Sequence, residues 1–168
     1  IMVPLLGEVL ARPGFCVIAT QNPKEFVATS HLSEAILDRF ELIVLDYQSE
    51  AEELAIVARS AANERMKSAA VRLARLTRGH PRVRRGASVR AAQAVAELGE
   101  ALLGGETRRG FHQAFLWAAL LALPTRIEIE RDAESSAGVQ AEIRGLVEGW
   151  VAEVLAGLDQ DEPLKKKP

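Results

Sequence analysis

The chain has 168 residues, 48% of them apolar and 26% charged, with a formal net charge of -2. That composition excludes a disordered tail, and the length allows one domain or two small ones with a core that needs neither disulfide nor metal. The single cysteine, Cys16, cannot form an internal disulfide, which points to a reducing compartment and a cytoplasmic setting. No Cys/His cluster has zinc-ligand spacing, so no metal residues are assigned. The apolar runs are broken by charge or proline before 18 residues, too short for a membrane span, and no basic start leads into an apolar stretch as in a signal peptide. Because the chain opens on Ile1-Met2, upstream sequence is expected to be missing.

The charge is unevenly placed. Residues 1–64 carry 4 basic and 10 acidic side chains, residues 65–96 carry 9 and 0, and residues 97–168 carry 8 and 13. A basic block between acidic flanks needs an anionic partner or a solvated face.

In chain order, Pro4 to Ala11 reads as a short helix, and Arg12-Pro13-Gly14 as a turn. Phe15 to Thr20 is an apolar run suited to a strand buried on both faces of a parallel sheet, stopped by Gln21-Asn22-Pro23. Residues 24–31 read as a loop, and Ser33 starts a helix to about Asp38. Leu42-Ile43-Val44-Leu45 predicts a second strand. Ser49 caps a helix from Glu50 to about Met66, with Glu50, Glu52 and Glu53 in the first turn, where the helix dipole favours negative charge.

Everything after that predicts helix: residues 68–78, stopped by Gly79-His80-Pro81; 87–103, ended by Gly104-Gly105; 111–123, nearly all apolar and expected to be buried; and an amphipathic stretch over 138–158. Residues 128–133 stay unassigned and 165–167 form a basic end. The fold class is an α/β fragment with about two parallel strands followed by an all-α part, predominantly helical.

Three segments carry candidate chemistry. Asn22 stands at the carboxyl end of the first predicted strand, the edge where open α/β sheets bind ligands. There it either orients a water or a phosphate, or caps the turn before Pro23. Arg39 ends a short helix before the second strand, placed to reach a neighbouring subunit's phosphate or to pair with Asp38 or Glu41. Gly86-Ala87-Ser88 starts a helix, and Arg90 lies in its first turn, where a cation opposes the dipole unless an anion is nearby.

Taken together, FCVIATQNPKEF, LSEAILDRFELIVLDYQSEAEE and LTRGHPRVRRGASVRAAQAV resemble the MoxR-type AAA+ ATPases over about residues 5 to 133. The resemblance implies the C-terminal part of an αβα ATPase core over 1–66, a helical lid over 67–133, and a C-terminal helix with a basic tail over 134–168. It implies a sensor-1 role for Asn22, which helps place the water that attacks the γ-phosphate. It implies an arginine finger acting in trans for Arg39 and a sensor-2, ATP-contacting role for Arg90. ATP and Mg2+ are the cofactors it implies, with a homo-oligomeric ring, expected to be hexameric, a von Willebrand factor A domain partner as in many members, and chaperone-like remodelling of an unidentified client.

The chain also departs from the family. It has no G-x-x-x-x-G-K-[ST] loop and no Gly-Lys pair, and its only Asp-Glu pair is Asp161-Glu162 in the polar tail. Without the phosphate cradle and the magnesium carboxylate, the chain alone is expected to be inactive. The loop Val27 to His31 lacks a glycine and a proline usual there, Val89 replaces a common proline, and His31 reads as a solvent-exposed loop residue. Arg82, Arg84 and Arg85 are candidates to face a neighbouring subunit or an acidic partner. Two alternatives remain open: a non-catalytic scaffold that kept the subunit interface, and a nucleic-acid-binding helical module. The basic block lacks the aromatic side chains that stack on bases, which disfavours the second.

Overall fold

The computed structural model describes residues 2–5, 7–20, 38–105, 109–130 and 138–161. They belong to two compact units, Ile1–Leu45 and Asp46–Pro168.

In the first unit, β1 (Met2–Val3) pairs antiparallel with β2 (Gly7–Glu8), Met2 opposite Glu8 and Val3 opposite Gly7. This hairpin replaces the helix expected over 4–11. Leu5 and Gly7 take positive φ, 69° and 77°, which no right-handed helix accommodates. A segment of eight residues is also too short to hold a helix without a packed face, and Leu5, Val9 and Leu10 are exposed. The Arg12–Phe15 turn forms as expected, closed by Phe15 N–H donating to the Arg12 carbonyl at 3.0 Å, with Gly14 at φ 84°.

The two parallel strands do not form. Residues 15–20 and 41–45 lie in neither strand nor helix, and Ile18 and Leu42 are 88% and 85% exposed. A strand of a parallel sheet takes its ladder from neighbours and its burial from layers on both faces. Among the described residues of this unit, β1 with β2 is the only strand pairing.

The second unit is helical. Ser49 caps α1 (Glu50–Val57) in a capping box with Glu52. The single helix expected over 50–66 is broken, because Asn63 accepts a hydrogen bond from Met66 N–H at 2.9 Å and starts α2 (Glu64–Gly79) afresh. Ala62 N–H, in the gap, donates to Glu100 at 2.7 Å. β3 (Val83–Arg85), which no pattern predicted, pairs antiparallel with β4 (Glu128–Ile129). α3 (Val89–Gly104), α4 (Phe111–Ala122) and α5 (Val139–Asp161) match the remaining expectations to within a few residues.

α2 is the centre of the unit and packs against α1, α3, α5 and β3, while α4 rests on α3 and α5. Met66, Val71, Leu73, Val95, Phe115 and Val147 are fully buried between them. Gly99 explains how close α2 and α3 come: a Cβ there would meet the Met66 sulfur at 2.4 Å. α4 departs from the expectation of all-round burial. Its Ala114, Phe115, Ala118, Ala119 and Ala122 stripe is buried, but Trp117 and Leu121 are exposed.

Candidate functional site at the start of α3

Of the three sequence-derived site residues, Asn22 lies outside the described residues. Arg39 is exposed in the turn 38–40 of the first unit. Arg90 is exposed at the second position of α3 in the second unit.

The turn before α3 is held unusually firmly. The last turn of α2 supplies Thr77, fully buried, and Arg78, mostly buried. Thr77 Oγ1 accepts from Ala87 N–H at 2.8 Å and donates to the Ala74 carbonyl at 2.7 Å. Arg78 Nε donates to the Ala87 carbonyl at 2.8 Å. Both backbone polar groups of the buried Ala87 are therefore satisfied by two consecutive side chains of α2. Gly86 has no alternative residue at this approach, since a Cβ would lie 2.7 Å from Arg78 Cγ and 2.9 Å from its Cα.

Arg78 is itself anchored. Its Nη2 donates to Glu53 Oε1 at 2.5 Å, while Arg75 Nη1 reaches Glu53 Oε2 at 3.1 Å. Glu53 is only 1% exposed, so both carboxylate oxygens are paired where water cannot serve them. The Arg78 guanidinium also lies over the Tyr47 ring, 4.0 Å from its centroid. The sequence reading placed Glu53 in an acidic first turn beside a helix dipole. Burial of that carboxylate follows from α1 lying on α2, which no local pattern reveals.

The basic block finds its anions within the chain. Arg65 pairs with Asp159 at 2.6 Å, Arg82 with Glu142 at 2.9 Å, and Arg84 with Glu128 at 3.4 Å. Lys67 pairs with Glu64 at 2.6 Å. Arg82 and Arg84, which the sequence offered to an external partner, are thus engaged at home. Of the nine cations in the block, only the side chains of Arg85 and Arg90 have no hydrogen-bond or ion-pair partner among the described residues.

Those two arginines flank the clamped turn. Ser88, the N-cap of α3, makes no side-chain cap bond, so its hydroxyl remains available beside the helix N-terminus. Two unpaired guanidinium-bearing residues at the positive end of a helix suit a phosphate or another oxyanion. Among the described residues, no group of three or more His, Cys, Asp or Glu side chains could hold a metal ion. A separate groove of about 590 Å³ between α2 and α5, lined in part by Leu76, His80 and Trp150, does not include Arg90. Its Arg75 is already bound to Glu53. No helix among the described residues is long and apolar enough to cross a membrane.

Comparison of the chain with protein-family models, with curated proteins and with solved structures gives no significant match.

Proposed function

We propose that this chain contributes the distal part of a MoxR-type AAA+ ATPase core, its helical lid and a C-terminal helix. ATP turnover in a cytoplasmic homo-oligomeric ring would drive the remodelling of a client protein. The observation that supports this reading best is the α3 start: a turn clamped through both backbone groups of Ala87, with Arg90 exposed and without a counter-charge among the described residues. A cation placed against the helix dipole and left unpaired is favourable when a phosphate completes it. In the same reading Asn22 places the attacking water, Arg39 reaches the γ-phosphate of the adjacent subunit, and Arg90 couples the lid to the bound nucleotide.

The test is made in the full polypeptide that the gene encodes. Arg39→Ala should bind ATP normally and lower turnover by about 10³-fold or more, as expected when an arginine finger is removed. Arg90→Ala should weaken ATP binding or uncouple it from turnover. Undiminished turnover in Arg39→Ala, or unchanged affinity and turnover in Arg90→Ala, would overturn the respective assignment.

The scaffold reading has one observation in its favour, the absence of a Gly-Lys phosphate loop from the chain. It predicts no ATP turnover by the full polypeptide with either arginine intact. The nucleic-acid reading is disfavoured by the internal pairing of the basic block, because neutralised cations release few phosphate counterions.

A further inference from the structure

We infer that Arg78, held by Glu53, is the positioning residue for Arg90: its planar guanidinium joins a buried carboxylate to the carbonyl of Ala87, the residue that leads into the α3 N-cap. The inference rests on the phosphate-contacting role proposed for Arg90 and adds the device that aims it.

The geometry separates this role from that of an ordinary buried ion pair. Glu53 has two arginine partners. Arg75 and Arg78 both neutralise it, and both tie α1 to α2. Arg75 further reaches the Gln48 carbonyl at 3.4 Å and Glu50 at 3.9 Å, both at the start of α1, whereas Arg78 donates its Nε to the Ala87 carbonyl at 2.8 Å while its Nη2 stays on Glu53. One rigid fork thus spans from α1 to the residue before the α3 N-cap. Thr77 holds the other backbone group of the same residue, the Ala87 N–H. Gly86 lets the fork pass, because any larger residue would meet the Arg78 side chain and backbone. Three residues after Ala87, Arg90 begins its exposed reach. Lysine carries the same charge at a similar length, but as a point charge it cannot keep the fixed two-pronged geometry. The role therefore requires arginine at position 78, whereas the charge of Arg75 can be met by lysine.

The test compares Arg78→Lys with Arg75→Lys in the intact chain and follows amide hydrogen exchange by residue. Arg78→Lys should speed exchange at the hydrogen-bonded amides of Ala87, Ala91 and Ala92 by ten-fold or more while leaving α5 protected as in the parent. Arg75→Lys should leave these amides unchanged. Equal effects of the two variants at these amides would overturn the inference, as would full protection in Arg78→Lys. Should Arg78→Lys fail to fold, Thr77→Val probes the same residue from its N–H side. Faster exchange that spreads from Ala87 to the Ala91 and Ala92 amides supports the clamp, and parental exchange at Ala91 and Ala92 overturns it.

A second arm, in the full polypeptide, reads Mg-ATP. Arg78→Lys should reproduce the ATP-affinity loss of Arg90→Ala, and the double variant should lose no more than either alone. Additive losses would overturn the positioning role. An Arg90→Ala variant with parental affinity would instead sink the phosphate role of Arg90, whatever the exchange experiment shows about the clamp.

Discussion

Glu53 carries more of the second unit than any other polar residue described, because its carboxylate is the shared counter-charge of two arginines in a site closed to water. Removing one member of a buried pair leaves the others with desolvated charge. Glu53→Ala should therefore lower the unfolding free energy by about 3 kcal/mol, the lower end for such losses because Arg75 is partly exposed. Urea denaturation checks this, and a loss below about 1 kcal/mol would show that solvent already serves the two guanidinium groups. Arg90, by contrast, is exposed and has no hydrogen-bond or ion-pair partner to lose among the described residues. Substituting it should leave stability within about 0.5 kcal/mol of the parent, so that any ATP phenotype is read without a folding defect. The candidate residues Arg39 and Arg90 were legible in sequence as residue types at turn and helix boundaries. Their support was not, because Thr77, Arg78 and Glu53 become neighbours of Gly86 and Ala87 only once the helices pack.

Helix ends follow local chemistry closely. Ser49 caps α1 as its sequence suggested, and Glu52 completes a capping box with it, Ser49 N–H donating to Glu52 at 2.8 Å. Hydrogen bonds from the Ser49 side chain, and then from its backbone, hold the Glu52 carboxyl below its ordinary value. A carboxylate lowered in the folded state stabilises above its unfolded pKa and loses that contribution as pH falls through the folded one. The cap should therefore weaken only in acid, below the usual carboxylate range, and Ser49→Ala should flatten that part of the pH–stability curve while costing about 1 kcal/mol at neutral pH. An unchanged acid limb in Ser49→Ala would show that the cap does not contribute to it. Asn63 is the counter-example among helix ends. It was absorbed into a longer predicted helix, yet its side chain competes for Met66 N–H and begins a new one. α4 shows the limit of composition at this scale. Phe115→Ala should cost about 3–5 kcal/mol as a core truncation, whereas Leu121→Glu, four residues from the exposed Trp117, should stay within about 0.5 kcal/mol. Thermal unfolding of the two variants separates them, and equal losses would mean that the exposed face of α4 is covered in solution.

At the scale of the whole molecule, the two units differ in how well their apolar residues are hidden. Asp46–Pro168 closes around a common core, and its basic stretch is neutralised by acidic residues far off in sequence, as in the Arg65–Asp159 and Arg82–Glu142 pairs. Ile1–Leu45 leaves Phe15, Ile18, Leu42, Ile43, Val44 and Leu45 open to solvent. Apolar segments with unpaired backbone invite association with other chains. The chain should accordingly scatter light at concentrations where Ile18→Lys/Ile43→Lys does not, with the unfolding midpoint of the helical unit the same in both. Equal scattering would show that these segments are covered in solution.

The sequence by itself determined the predominantly helical character, the Arg12–Phe15 turn, the positions of α3, α4 and α5, and the caps at Ser49 and before α3. These depend on 3.6-residue periodicity, on side chains that serve nearby backbone groups, and on proline and glycine stops, all of which act within a few residues. Only the tertiary structure decided that Leu42 to Leu45 forms no strand, that most of the basic block finds partners within the chain, and that a buried glutamate and a forked arginine hold the turn leading to Arg90. Each of those depends on which surfaces meet. A strand needs neighbours for its ladder, and a charge needs a partner brought from tens of residues away, so neither outcome is written in any local pattern.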